Sequence, residues 1–333
     1  MKAMLLQKPL PAEESPLELV ELRPPEPAAD QVLLRVRACG ICHTDLHTVE
    51  GEIAAKLPIV PGHQIVGVVE KLGADVRDFA IGERVGVPWL YRACGECEFC
   101  QSDRENLCER AQFTGFHVNG GYAEFAVAPA AFAVRLPDHP ADAQIAPLLC
   151  AGIVGYRALR FSNVRPRQRL GLYGFGASAH IVIQIALHWN CEVFVATRGD
   201  GHQQLAKKLC AAWVGRAEEV PDAALDSAVM FAPTGALVPE ALRALRKGGT
   251  LVLAGIYMTP IPEMKHELLY HERIVRSVAN ATREDARQLM RLAGEIPLRT
   301  EVETFPLVDA NRALAALKHS QIRGAGVLVV GRG

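Results

Sequence analysis

Apolar positions fall into two textures along the chain, and the change comes near residue 150. Before it, residues 31–37 (Gln-Val-Leu-Leu-Arg-Val-Arg) and 65–72 (Ile-Val-Gly-Val-Val-Glu-Lys-Leu) read as strands bounded by Pro, Gly and Asp. Residues 79–87 and 121–127 continue the series of short strands between Gly-rich turns. After residue 151 the period alternates. Residues 169–173 (Arg-Leu-Gly-Leu-Tyr) form an apolar strand running into a glycine turn, and 177–189 has helical spacing. A strand at 192–196, a helix at 203–209 and strands at 228–231 and 250–254 follow. Alternating strand and helix predicts βαβ units on a parallel sheet. Beyond a helix at 285–292, a strand at 301–307, a helix at 310–318 and a strand at 326–330 return to the first texture. The plan is a β-rich domain over 1–150, an inserted α/β domain over 151–283, and a return to the first domain over 284–333. There is no internal repeat and no low-complexity stretch.

Composition narrows the class. A chain of 333 residues, half of them hydrophobic and 22% charged, suits two domains with a sizeable core. Its net charge of −1 gives no electrostatic footprint for nucleic acid or an anionic membrane. The N-terminal apolar stretch is too short for a signal peptide, and no run of roughly 18 apolar residues predicts a membrane span. Nine cysteines, an odd number, fit a reducing compartment where thiolates bind metal. A soluble cytoplasmic protein is expected.

Four of those cysteines, Cys94, Cys97, Cys100 and Cys108, lie within fifteen residues at the spacing C-x2-C-x2-C-x7-C. Two-residue gaps turn neighbouring thiolates back onto one centre, and four sulfur ligands suit a closed tetrahedral zinc site. Such a site has no open position, so this zinc braces a loop and any reactive centre lies elsewhere. A looser set offers one. Cys42, His47 and His63 are plausible ligands, with Cys150 far downstream. Two Cys and one His with an open position make a catalytic pattern, although spacing alone leaves open which residues belong.

The stretch Gly171-Leu-Tyr-Gly174-Phe175-Gly176-Ala177-Ser178-Ala179 carries G-x-G-x-x-A between a strand and a helix. Gly174 and Gly176 allow a tight turn and close approach to a pyrophosphate at the helix N-terminus. The next strand ends in Thr197-Arg198 where an Asp or Glu would hold a ribose 2′-hydroxyl. A hydroxyl followed by a cation favours NADP over NAD.

With these residues in view, the chain resembles the zinc-dependent alcohol dehydrogenases of the medium-chain dehydrogenase/reductase superfamily over essentially its whole length. The resemblance rests on Cys42-His43-Thr44-Asp45-Leu46-His47, Gly62-His63, the four-cysteine lobe, Leu149-Cys150-Ala-Gly and the glycine turn, all in family order. Trp89-Leu90 before the lobe is similar to bacterial and yeast-type members, and the strand end is similar to the cinnamyl-alcohol-dehydrogenase-like branch. What the resemblance implies is a GroES-like catalytic domain, a Rossmann domain, and an active site in the cleft between them. It implies two zinc ions per chain, with Cys42, His63 and Cys150 holding the catalytic one. His47 then leaves the ligand set and ends a proton relay that begins at Thr44. Asp45 and Gln64 stand behind the ligands, with Asp45 orienting His63. His43, Gly174, Phe175, Gly176, Ala177, Ser178, Thr197, Arg198 and Ile256 would meet the cofactor.

Three departures from the family pattern are visible. Gln64 replaces the usual Glu after the zinc-binding His, Ala325 replaces a phosphate-contacting Arg near Arg323, and His43 stands where Arg or His occurs. By family position Ile53, Trp89, Leu90 and Ile256 would line the substrate cleft. Ile53 in place of the Trp of yeast-type enzymes predicts room for medium-chain or aromatic primary alcohols and their aldehydes. Family members commonly pair through the Rossmann sheet edge near residues 250–258, giving dimers or tetramers. The rivals are a polyol or secondary-alcohol dehydrogenase, against which Cys150 speaks, and a non-catalytic zinc- and nucleotide-binding relic. Metal binding alone needs neither Thr44 nor His47, which speaks against the relic.

Overall fold

The structure is a computed structural model that describes residues 1–331. The chain divides into two compact units. One comprises Met1–Cys150 together with the residues from Ala281 onward, and the other is Ala151–Asn280.

The first unit is built on a mostly antiparallel sheet ordered Val302–Pro306, Ala325–Val329, Gln31–Ile41, Gln64–Leu72, Arg84–Val87 and Val134–Arg135. Phe125–Pro129 also pairs with Gln31–Ile41. The long strand Gln31–Ile41 is therefore central, and its inward positions Val32, Leu34 and Val36 are buried in one core with Ile65, Val69, Val85, Val87 and Leu328. Two-residue alternation along a half-buried strand explains which side chains point inward. The helix Ala310–Lys318 packs Ala310, Ala313 and Leu314 into the same core. Lys2–Leu6 and Leu17–Glu21 form a separate hairpin, which the sequence reading missed. Leu90–Arg92 and Gln112–Phe113 form another beside the cysteine lobe.

The second unit is a six-stranded, all-parallel sheet. Its order is Trp213–Gly215, Glu192–Ala196, Arg169–Tyr173, Leu225–Met230, Leu245–Leu253 and Ile274–Ser277. Numbered within the unit this is 3-2-1-4-5-6, the Rossmann order, whose ligands bind where the strand order reverses, beside the first strand. Arg169–Tyr173 and Glu192–Ala196 have the extents read from the sequence. The helix after the glycine turn starts later than its periodicity suggested, at Ala179–His188, because the turn itself uses residues 174–178. The sequence reading also missed the helices His43–Glu50 and Ala151–Phe161. Strand 250–254 proves to be the end of the longer Leu245–Leu253, and it is not the sheet edge: Ile274–Ser277 pairs outside it.

Candidate active site and metal centre

Three segments of the first unit bring Cys42, His63 and Cys150 together. The strand Gln31–Ile41 ends at Cys42, whose extended backbone (φ −132°, ψ 159°) opens the helix His43–Glu50. Asp45, in the first turn, reaches back to accept the Cys42 backbone N–H at 2.9 Å through Oδ2. Its other oxygen accepts the Gly62 N–H at 3.1 Å and His63 Nδ1–H at 2.9 Å. One buried carboxylate thus ties these two segments together and turns the imidazole so that Nδ1–H is engaged and Nε2 is left for another partner. Cys150 arrives from the tight turn Ala146–Leu149, and its sulfur lies 3.9 Å from that of Cys42. The three donor atoms all lie within 4.8 Å of one another, and among the described residues no fourth such donor joins them.

His63 is 1% exposed, and its Nε2 is buried with no hydrogen-bond partner. An orphaned buried polar atom costs about 1–3 kcal/mol, which a cation bound in place of its proton would relieve. The electrostatics agree. The Cys42 thiol is held well below its ordinary range by the Cys150 hydrogen bond, against burial, with His63 assisting. Cys150 is pushed well above by that same bond, by burial and by the charge on Cys42. Burial opposes charge on His63, but the charge and hydrogen bond of Asp45, and then Cys42, raise it to about 10. A buried pocket that favours a thiolate beside an imidazolium has room for positive charge, and the soft Cys2His donor set fits zinc.

The lobe collects four sulfurs the same way, again within 4.8 Å. The Cys97 N–H points at Cys94 Sγ (3.3 Å) and the Cys94 N–H at Cys108 Sγ (3.5 Å). The backbone N–H groups of Glu96 and Cys97 lower Cys94 to about 6, whereas burial first and the neighbouring sulfurs raise Cys100 to about 12. One thiolate is already favoured, and a cation would stabilise the others.

Residues 28–138 match the alcohol dehydrogenase GroES-like domain and residues 179–295 match the zinc-binding dehydrogenase domain. A probable alcohol dehydrogenase, AdhA of Mycobacterium tuberculosis, is 44% identical over 99% of this chain and 97% of its own.

The chain belongs to the zinc-dependent alcohol dehydrogenases.

An alcohol dehydrogenase of Geobacillus stearothermophilus is 36% identical, with 95% of this chain and 97% of that one covered. Among solved structures, a cinnamyl alcohol dehydrogenase of Sorghum bicolor superposes with a TM-score of 0.90 at 25% identity, covering 98% and 97%. A thermostable alcohol dehydrogenase of Pyrobaculum aerophilum, solved with cobalt and zinc bound, gives 0.89 at 25% identity, covering 99% of each chain.

In this alcohol dehydrogenase Thr44 is buried beside the three-donor cluster, its Oγ1 3.8 Å from Cys42 Sγ. His47 sits outside the cluster, one turn along the same helix, and its Nδ1 pairs with the carboxylate of Glu52. The sequence reading missed Glu52. Its signal was the Gly51-Glu52 pair: Gly51 (φ +77°) ends the helix in a left-handed turn that folds the next carboxylate back onto it. Trp89 lies with its ring 6.0 Å from that of His63 and is stacked on Phe113 at 4.4 Å, with His117 beyond at 5.5 Å. Leu90 is buried and pairs with Phe113 through the backbone. Ile53 is half-buried, its N–H bonded to the His47 carbonyl at 3.3 Å. Gln64 is buried over Gly40, and among the described residues no hydrogen bond joins its amide to Cys42, His63 or Cys150. His43 is exposed, as is Arg323, while Ala325 starts a strand.

In the second unit Gly174 has φ +85°, and a Cβ there would lie 2.8 Å from the Ala232 nitrogen, so glycine is required. Gly176 is exposed with open space around it, as a closely approaching ligand needs. Phe175 is buried, and Ala177 and Ser178 are half-buried at the helix start. Thr197 is buried at the end of the second strand and Arg198 is exposed beside it. Ile256 is 55% exposed.

Proposed function

We propose that this chain is an alcohol dehydrogenase for medium-chain or aromatic primary alcohols and the matching aldehydes. On this reading it uses two zinc ions and favours NADP over NAD. The observation that carries the reading is the buried three-donor cluster with an orphaned His63 Nε2 and no fourth protein ligand among the described residues. Cys42, His63 and Cys150 would hold the catalytic zinc, while Cys94, Cys97, Cys100 and Cys108 would hold the structural one. The catalytic zinc, when bound, supplies Lewis acidity that lowers an alcohol's pKa and polarises a carbonyl. A nicotinamide coenzyme supplies the hydride acceptor or donor.

The chain's own residues do the remainder. Asp45 holds the His63 ring so that Nε2 faces the two sulfurs. Thr44 Oγ takes the alcohol's proton and passes it towards His47, which Glu52 steadies and which delivers it to solvent. The glycine turn at 174–176 and the start of the helix Ala179–His188 receive the pyrophosphate through backbone N–H groups. The Thr197-Arg198 pair, with no carboxylate at the strand end, supports NADP, whose 2′-phosphate an arginine suits. Ile256 completes the cofactor set.

Ile53, Trp89 and Leu90 are the pocket residues of this reading, with Leu90 acting from behind because it is buried. The row Trp89–Phe113–His117 favours an aromatic or extended apolar tail. Assembly as a homodimer or homotetramer would use the open edge strand Ile274–Ser277, whose Ile274 is exposed, since an unpaired edge invites a second strand. Nine free thiols and no helix, among the described residues, long and apolar enough to cross a membrane support a cytoplasmic location. The test is a panel of aldehydes run with NADPH and NADH side by side. Benzaldehyde or cinnamaldehyde should exceed acetaldehyde in kcat/KM, with NADPH preferred. Acetaldehyde in clear excess refutes the substrate reading, and NADH preference refutes the cofactor reading.

A further inference from the structure

His63 follows a glycine that the fold grips on several sides. Gly62 has φ +97°, and a Cβ there would lie 2.3 Å from Tyr122 Cδ1 and 2.9 Å from Cys39 Sγ. The opposing contacts are equally close. A Cβ on Gly120 would lie 2.0 Å from the Gly62 carbonyl oxygen, and one on Gly115 would lie 2.8 Å from the Gly62 nitrogen. Backbone hydrogen bonds complete the grip. Gly121 N–H donates to the Gly62 carbonyl at 2.9 Å, Tyr122 N–H to that of Pro61 at 3.0 Å, and Gly120 N–H to that of Val60 at 2.7 Å. Residues 115–122 supply no ligand, yet the turn that presents His63 is moulded against them.

Tyr122 is the side chain of this mould that meets Gly62. It is 0% exposed, and its hydroxyl is buried without a hydrogen-bond partner. Burial, then the charges of Asp45, Cys39 and Cys42, push its ionisation well above the usual phenol range, so it remains a neutral donor. The ring edge lies where a side chain on Gly62 would be, so it fills the space beside the left-handed turn.

We propose that Tyr122 is a positioning residue for the Cys42–His63–Cys150 site: its ring, packed on Gly62, holds that residue, and with it His63, in register. The inference rests on reading those three side chains as metal ligands. Tyr122 touches neither metal nor substrate and acts through Gly62.

The experiment loads wild-type protein, Tyr122→Leu and Gly120→Ala with cobalt(II) and follows release from each site to a chelator by that site's own absorption. Groups that support metal ligands typically contribute 10–100-fold to affinity. Tyr122→Leu is expected to release the Cys2His ion about tenfold faster, and Gly120→Ala to do the same with a shifted d–d band. The four-thiolate site should keep its wild-type rate in both, which also shows that the variants are folded. Wild-type rates at both sites in both variants overturn the assignment, and so does equal acceleration at the two sites, which marks general loosening. Wild-type protein that takes up cobalt only at the four-thiolate site overturns the ligand reading itself, a failure distinct from the first two.

Discussion

Asp45 is the residue on which the most depends. Its two oxygens accept the Cys42 N–H, the Gly62 N–H and His63 Nδ1–H, so one side chain sets the spacing of two of the clustered donors and the orientation of one of them. Asp45→Asn should therefore weaken zinc at this site about 10–100-fold while leaving the lobe zinc in place, measured by competition with a chelator. His47 differs. It lies outside the donor cluster and pairs with Glu52, so His47→Ala should keep both metal ions and lose turnover by about tenfold or more. A wild-type pH–rate profile in that variant contradicts the relay. At this scale the sequence was unevenly legible. The lobe cysteines announce themselves by spacing, but 108 residues separate Cys42 from Cys150, and only family resemblance joined them. Glu52 and Tyr122 carry no motif, because their roles come from a helix-ending turn and from packing.

At the scale of elements, caps and turns decide the stable ends. The helix Arg283–Glu295 begins at a reciprocal capping box. Thr282 Oγ1 accepts the Asp285 N–H at 3.2 Å and donates to Asp285 Oδ2 at 2.8 Å, and that oxygen also accepts the Thr282 N–H at 3.0 Å. Both residues are buried, so Thr282→Ala should destabilise the protein by about 1–2 kcal/mol in denaturant unfolding. In the same unit, Lys318 ends the helix Ala310–Lys318 between Glu13 and Glu50. Burial resists ionisation of Glu50, but the Lys318 hydrogen bond and the Ala12 N–H outweigh it and hold its pKa below the ordinary 4.5. A lowered carboxylate pKa adds stability above the unfolded value, and that stability fades as pH falls through the folded one. Lys318→Met should thus lower Tm near neutrality, with the gap to wild type closing below about pH 4. The elements that the sequence hid have physical reasons. His43–Glu50 is short and mostly polar, with no amphipathic stripe to reveal it, and the hairpin of Lys2–Leu6 and Leu17–Glu21 is split by an intervening turn. The strands Arg169–Tyr173 and Glu192–Ala196 were legible because they are short apolar runs bounded by turn residues.

At the scale of the whole molecule, a mostly antiparallel unit carries both cysteine-based sites, and a parallel unit carries the glycine turn. The two textures of the sequence reflect these two kinds of sheet, since strands buried on both faces read as apolar runs and half-buried ones alternate. Chemistry belongs to the open three-donor site on this reading, and bracing to the closed four-sulfur lobe. Metal content and turnover in Cys150→Ser and Cys100→Ser, compared with wild type, test that division most directly. Cys150→Ser should lose one zinc per chain and essentially all turnover while keeping a near-wild-type Tm. Cys100→Ser should lose the other zinc and much of its thermal stability, yet its folded fraction should still turn over. A Cys150→Ser protein with full turnover, or a folded Cys100→Ser protein with none, would contradict that division.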